Sequence, residues 1–399
     1  MERPISTMIF LILAYFSFGQ EKQDFEYSIS SEAFGKERKV YVHLPETYHE
    51  NPSDSFGVIY ILDAQARSFY EQAKGILSYL NWSRHIFPVI AVGICSDNRG
   101  SEFVPLNRSL AAEDEDNFGR AHVLQEHLSQ EVFPLIEKTF RVNDFRGIIG
   151  HSRGGAFLAT TLFSDQKDLF HAYIAVSPGM HYLDGQILKD AEQMIVSQAK
   201  FNKFFFATHG TVGSLEKYFE PQVNHLDSLF REHPNETLHW NKLKVNDATH
   251  WSCVAPSVAQ GLMEMSRAYQ VDQYLIDLFA SSEKKTIKEQ VEAYYEEQEA
   301  KLGFTFPLPA SRYHYYAGQQ SEYGNAEQAI ELYDLALEAE PNRIRSLWGK
   351  SWIYEEKGEN EQVKPICDEI LKIVELNEIG MTEEDQEKWR ERIRKRLAE

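Results

Sequence analysis

A serine enclosed by glycines is the residue best suited to chemistry in this chain. Ser152 lies in the segment Gly150-His151-Ser152-Arg153-Gly154, between the apolar run 147–149 and the helix-forming run 157–162. A G-x-S-x-G pattern at a strand-to-helix junction predicts a sharp turn that exposes the serine hydroxyl above the sheet. The helix N-terminus beside it favours an oxyanion. Ser152 is therefore predicted to be a nucleophile; the alternative is a glycine-rich turn in which the serine only caps the helix.

A serine nucleophile needs a base, and the base needs an orienting group. His250 lies in the loop 246–252, between the predicted strand 237–245 and a helix, where such a base is expected. His209, directly after the preceding strand, is the rival candidate. We predict that His250 is the base.

The orienting acid is expected after the predicted strand 201–207. Glu216 is the nearest candidate, whereas Glu220 and Asp227 fall on or near the next helix, where solvated carboxylates are ordinary. A simple Ser–His dyad without an acid is also open. We predict Glu216 as the acid of a Ser-His-Glu triad.

An oxyanion hole requires two backbone N–H groups. Arg153, directly after the serine, is predicted to supply one, and Ala64 or Gln65, after the strand 57–62, the other. The side chains of Arg153 and Arg99 either pair with surface carboxylates or meet an acidic part of a substrate. The surface interpretation is favoured for both.

Composition excludes several classes of function. The 399 residues include 61 acidic and 41 basic side chains, and the formal net charge is −20. This balance argues against a protein that binds nucleic acid or an anionic membrane surface. The three cysteines are far apart and lack metal-ligand spacing, so no disulfide scaffold and no metal site is predicted. The chemistry above needs no cofactor.

The elements that must position these residues alternate between strands and helices. Apolar or β-branched runs predict strands at 57–62, 88–94, 147–150, 173–176, 201–207 and 237–245, after an opening hairpin at 25–31 and 39–44. Intervening helices, including one over 121–139, imply an α/β fold with a mostly parallel central sheet. The site should lie beyond the carboxyl ends of the strands.

The N-terminus reads as a secretory signal peptide over residues 1–19. An apolar run, Met8 to Phe16, is too short to span a bilayer comfortably, and Ser17-Phe18-Gly19 supplies small residues for cleavage. A retained anchor or a buried helix is the alternative. A periplasmic or secreted location, with no membrane association after cleavage, is predicted.

The C-terminal third has the composition of a helical appendage. We predict a catalytic domain over 25–282, a linker or helical clasp over 283–312 and a small all-α domain resembling tetratricopeptide repeats (TPR-like) over 313–399. Ala329, Tyr333, Ala336 and Pro341 match the second half of such a repeat. A plain helical hairpin is equally open. This tail is expected to pack on the catalytic domain or to bind a protein partner.

Five segments together resemble the putative-esterase family of α/β hydrolases. They are Tyr60–Asp63, Val92–Ile94, Gly150–Gly155, Ala175–Pro178 and Thr249–Ser252, and the resemblance covers roughly residues 25 to 280. That family includes enterochelin-type siderophore esterases, feruloyl and acetyl-xylan esterases, S-formylglutathione hydrolases and mycolyltransferases.

The resemblance implies a Ser152 nucleophile, a His250 base and an acid at or near Glu216. We therefore predict a serine hydrolase that cleaves carboxylic esters through an acyl-enzyme. His250 follows Ser152 by 98 positions (250 minus 152), which leaves little room for a lid and favours a bulky siderophore, feruloyl or acyl-glycan substrate. The alternatives are an acyltransferase of the same fold and a non-catalytic binding or scaffold protein that uses the TPR-like tail.

Overall fold

Eight strands form one sheet in the order β1-β2-β4-β3-β5-β6-β7-β8. The computed structural model describes residues 23–49, 54–106, 119–279, 286–377 and 379–398, so the predicted signal peptide over 1–19 lies outside the described residues. The strands are β1 Asp24–Ser31, β2 Lys36–His43, β3 Phe56–Ile61, β4 Val89–Ile94, β5 Val142–His151, β6 Ala172–Val176, β7 Lys203–His209 and β8 Leu238–Lys244. β1, β2 and β4 pair antiparallel, and every other pair is parallel. The predicted fold class, a mostly parallel α/β hydrolase sheet followed by a helical region, is confirmed.

Helices cover both faces of this sheet and form the C-terminal region. They are α1 Arg67–Trp82, α2 Arg99–Glu102, α3 Ala121–His127, α4 Phe133–Thr139, α5 Arg153–Leu162, α6 Tyr182–Val196, α7 Glu216–Glu232, α8 Val254–Tyr269, α9 Asp272–Phe279, α10 Ile287–Leu302, α11 Ala310–Glu322, α12 Ala326–Ala339, α13 Ile344–Glu356, α14 Asn360–Leu376 and α15 Glu383–Ala398. The helix predicted over 121–139 is interrupted by a π-helical turn at Leu128–Val132 between α3 and α4.

The central strands are buried on both faces, as their continuous apolar runs predict. Alternate residues of β3 enter different cores: Tyr60 packs on one side of the sheet, and Ile59 and Ile61 pack on the other. None of the described helices is both long and apolar enough to cross a membrane.

The segment between α10 and α11 inserts an aromatic side chain into the sheet domain. The Phe306 ring stacks on Phe87 with 3.5 Å between centroids and meets Phe145 at 4.7 Å. A Cβ on Gly57 would lie 2.9 Å from Phe306, so glycine is needed on β3 for this approach. This segment, called the clasp below, therefore packs on the sheet domain through Phe306.

The last helices have cores of their own. One joins α9, α10, α11 and α12, and a second lies around α13, α14 and α15. Val271, just before α9, and Leu275 within it pack into the first of these cores, although the boundary predicted at 282 would assign them to the catalytic domain. The change of core therefore falls before α9.

Candidate active site

Ser152 occupies a strained turn between β5 and α5. Its φ is 59° and its ψ is −114°, a left-handed conformation that L-residues other than glycine seldom adopt. The glycines around it permit close backbone contact: a Cβ on Gly150 would lie 2.5 Å from the Gly154 carbonyl carbon, and one on Gly155 would lie 2.9 Å from Cα of Pro178. The predicted strand, turn and helix are thus present at the serine.

An open cleft of about 610 Å³ lies at this turn. Ser152 and His250 both line it, together with a largely aromatic wall: Leu215, Tyr218, Phe219, Tyr182, His181 and Trp251, and the arginines Arg99 and Arg153. Trp251 and Tyr218 are 72% and 67% exposed, so they offer ring surface to a ligand.

His250 is held by a buried carboxylate. Its Nδ1 lies 3.0 Å from Oε1 of Glu216, the first residue of α7, and both side chains are almost fully buried. Burial raises the pKa of Glu216, but hydrogen bonds from His250, the Ser177 hydroxyl and the Gly210 N–H outweigh it and lower the pKa below its ordinary value. An ionised carboxylate only accepts hydrogen bonds, so His250 carries its proton on Nδ1. Nε2 is then the nitrogen that can take a proton.

The loop that carries His250 is tied to the elbow by a second histidine. Nε2 of His151 lies 2.9 Å from the His250 carbonyl oxygen, and the two rings are 4.4 Å apart between centroids. Burial, with the nearby charge that His250 acquires on protonation, lowers the pKa of His151 to about 4. His151 is therefore neutral at pH 7 and donates its Nε2–H to that carbonyl.

The rival candidates lie apart from this arrangement. Nδ1 of His209 contacts the Gly210 carbonyl oxygen at 2.8 Å, and this ring does not line the cleft. Glu220 approaches Lys244 at 3.6 Å, and Asp227 pairs with Lys242 at 2.7 Å. Glu216 thus contacts His250, and His250 shares the cleft with Ser152, whereas these three rival side chains have other partners.

The three backbone N–H groups predicted for the oxyanion hole differ in their hydrogen bonding. The Ala64 N–H already donates to the Ile94 carbonyl at 3.0 Å, so Ala64 is wrong as a donor. Gln65 is the remaining candidate beside it, and its side chain ties Asp63 to the Ser96 N–H at 2.8 Å each. Arg153 opens α5, and the first N–H groups of a helix have no intrahelical acceptor.

Arg99 and Arg153 both line the cleft. Arg99 donates from Nε and Nη2 to the two oxygens of Asp63, each at 2.9 Å. Arg153 donates from Nε to the Tyr182 hydroxyl at 2.9 Å. Both guanidinium groups are thus oriented by neighbours beside Ser152.

Sequence reasoning assigned no role to Ser177 or His151. Ser177 lies within the family-like Ala175–Pro178 segment, and His151 lies within the elbow motif itself. The sequence signal was therefore membership of a motif, with no indication of what either side chain does. Within the described ranges, no group of three or more His, Cys, Asp or Glu side chains could hold a metal ion.

Comparison with known proteins supports the fold and ester hydrolysis. A family model described as "Putative esterase" matches residues 31–223. Ferri-bacillibactin esterase BesA of Bacillus subtilis (strain 168) is 28% identical over 200 residues, which cover 46% of this chain and 68% of that protein. A siderophore enterobactin esterase of Emericella nidulans is 27% identical over 169 residues, 37% of this chain and 54% of that protein.

Solved structures extend the likeness beyond the sheet domain. An IroE-like serine hydrolase from Shewanella oneidensis has a TM-score of 0.66 at 19% identity and covers 79% of this chain and 99% of that chain. A protein from Capnocytophaga ochracea has a TM-score of 0.68 at 13% identity and covers 88% of this chain and 94% of that chain. At these identities the likeness concerns the fold alone.

Proposed function

The chain is a carboxylic ester hydrolase that resembles the putative esterase family, and we propose that it works through a triad of Ser152, His250 and Glu216. The observation that carries the proposal is the 3.0 Å contact between His250 Nδ1 and the buried Glu216 carboxylate, with His250 and Ser152 lining one cleft. That contact leaves Nε2 as the nitrogen that can take a proton from the nucleophile.

In the first half-reaction, the Ser152 hydroxyl attacks the ester carbonyl and its proton passes to Nε2 of His250. The backbone N–H groups of Arg153 and Gln65 stabilise the negative oxygen of the tetrahedral intermediate. The proton then moves from Nε2 to the departing alcohol, which leaves an acyl-enzyme on Ser152. Water, activated by the same nitrogen, releases the acid and restores the serine.

The substrate class that we propose is a siderophore ester with anionic aromatic groups. Two curated relatives at 27–28% identity carry siderophore esterase names. The aromatic side chains Tyr218 and Trp251 can stack on planar rings, and Arg99 and Arg153 place positive charge beside the nucleophile of a chain whose net charge is −20. The open cleft accommodates a bulky ligand.

A fluorophosphonate probe tests the mechanism independently of the substrate. We expect one label per chain on Ser152, lost in S152A and strongly slowed in H250A, while S164A, at a serine just beyond α5, is labelled like wild type. Persistent labelling of S152A at the wild-type rate would exclude Ser152 as the nucleophile.

A substrate panel tests the proposed specificity. Siderophore, feruloyl, acetyl-glycan and thioester substrates are compared by kcat/KM, and the siderophore ester is expected to lead. A higher kcat/KM for a feruloyl or acetyl-glycan ester would replace the substrate class and leave the triad intact.

A periplasmic or secreted location is proposed on the N-terminal segment 1–19. N-terminal sequencing of the protein from its native host is expected to find a chain that begins after Gly19. An N-terminus at Met1 would contradict this.

A further inference from the structure

Ser177 is a fully buried serine at the end of β6, next to the strand that carries the nucleophile. Its N–H donates to the Thr208 carbonyl at 3.0 Å, and its φ is 42°, so the backbone holds it in a strained conformation. Its side chain does not line the cleft. A ligand in the cleft therefore does not touch it.

The Ser177 hydroxyl contacts both partners of the base. Oγ lies 2.6 Å from Oε1 of Glu216 and 2.9 Å from Nδ1 of His250, and those two atoms are 3.0 Å apart. The three atoms form a closed triangle. The other carboxylate oxygen, Oε2, accepts the Gly210 N–H at 2.8 Å.

The protons in this triangle have one consistent arrangement. An ionised carboxylate has no proton to give, so the Ser177 hydroxyl donates to Oε1. The Nδ1–H of His250 then faces two acceptors, Oε1 and the serine Oγ. Two acceptors on one edge hold the ring in its plane and keep the proton on Nδ1, which leaves Nε2 free to take a proton.

We propose that Ser177 is a positioning residue of the hydrolase, which fixes the Glu216 carboxylate and the His250 ring together. The inference rests on the proposed triad and adds a fourth member that acts only through Glu216 and His250. Its removal lowers the rate of chemistry and leaves substrate binding unchanged.

The magnitude follows from the kind of bond that is lost. A hydrogen bond to a charged group is worth enough to change a rate by about ten- to a hundredfold. Glu216 keeps two other donors in S177A, so we expect the lower end, about tenfold. The loss should fall on kcat, because Ser177 lies outside the cleft.

The experiment compares S177A, E216Q and the double variant in the full-length chain. The readouts are kcat and KM for p-nitrophenyl acetate and the rate at which a fluorophosphonate labels Ser152. S257A is the matched control, because it also removes a fully buried serine hydroxyl but on α8. Melting temperatures of all variants are recorded.

We expect S177A to lower kcat and the labelling rate about tenfold with KM within twofold of wild type. S257A should keep both rates. Adding S177A to E216Q should cost less than a further twofold, because residues that act as one unit are not additive. A merely structural serine would cost the same factor in both backgrounds, and that result would overturn the inference.

Two further outcomes are decisive. If S177A does not fold, S177C replaces it: a lower kcat at unchanged KM supports the inference, and a wild-type kcat overturns it. If wild type is labelled at Ser152 and S177A is labelled equally fast, the inference fails while the proposed function stands. If wild type is not labelled at Ser152, the proposed function itself fails.

Discussion

Replacing Glu216 by glutamine removes a buried negative charge and keeps the size of the side chain. Wild-type Oε1 lies 3.0 Å from the His250 ring nitrogen. With an effective dielectric constant of about 20, that distance gives an attraction of roughly 5 kcal/mol for the ring when it is protonated. The ring carries this charge during the reaction and not before it, so the attraction lowers the barrier.

The expected loss in E216Q is therefore on the order of 10³ to 10⁴ in kcat, because about 1.4 kcal/mol corresponds to tenfold and the amide oxygen still accepts one hydrogen bond. Steady-state hydrolysis of p-nitrophenyl acetate measures it. E220Q, one helical turn further along α7, is the matched control and should stay within twofold of wild type. An E216Q enzyme within tenfold of wild type would refute the triad and leave a Ser–His dyad.

Three further predictions concern the cleft, the elbow and the clasp. R99Q should raise KM for anionic aromatic esters about tenfold and leave neutral p-nitrophenyl acetate unchanged, because the Asp63-oriented guanidinium lies in the cleft. As the pH falls from about 6.5 to about 4, His151 should lower the unfolding free energy of wild type by up to roughly 3 kcal/mol. The unfolded chain takes up the proton first, because the folded structure lowers the pKa of His151 to about 4. In H151Q, the unfolding free energy measured by denaturant titration should depend less steeply on pH. F306A should lower the unfolding free energy by about 3 to 5 kcal/mol, measured by denaturant titration, since it empties the space beside Phe87.

Each of these three predictions can be contradicted by a specific result, measured against wild type or a control variant. If R99Q changed KM equally for charged and neutral esters, Arg99 would have no part in recognising the charge of the substrate. R67Q, on the exposed start of α1, is the control. Parallel stability curves for wild type and H151Q would show that His151 is not the titrating group. Unchanged stability in F306A would mean that the clasp contributes no packing energy, and F304A, a half-buried neighbour, gives the scale.

Local sequence patterns predicted most of the fold and part of the site. The elbow was predictable because the glycines, the serine and the strand are adjacent in sequence, and the central strands because both faces are buried. The Ala64 alternative was wrong because its N–H donates to Ile94, the last residue of β4, and that contact depends on which strand lies beside β3. The position of Arg99 depends on its ion pair with Asp63, 36 residues earlier, and no spacing rule indicates it.

Strand adjacency explains why the site assembles from distant positions. β5, β6, β7 and β8 are parallel neighbours in that order, so their carboxyl ends share one edge at spacings of about 4.8 Å. Each end contributes one part: Ser152 follows β5, Ser177 follows β6, Glu216 follows β7, and His250 follows β8. The loops at this edge bring Ser177, Glu216 and His250 within hydrogen-bonding distance of one another, although β7 lies between β6 and β8. The order of the strands therefore places Ser177 beside Glu216 and His250. No local sequence pattern contains that order, so the role of Ser177 could not be recognised from the sequence.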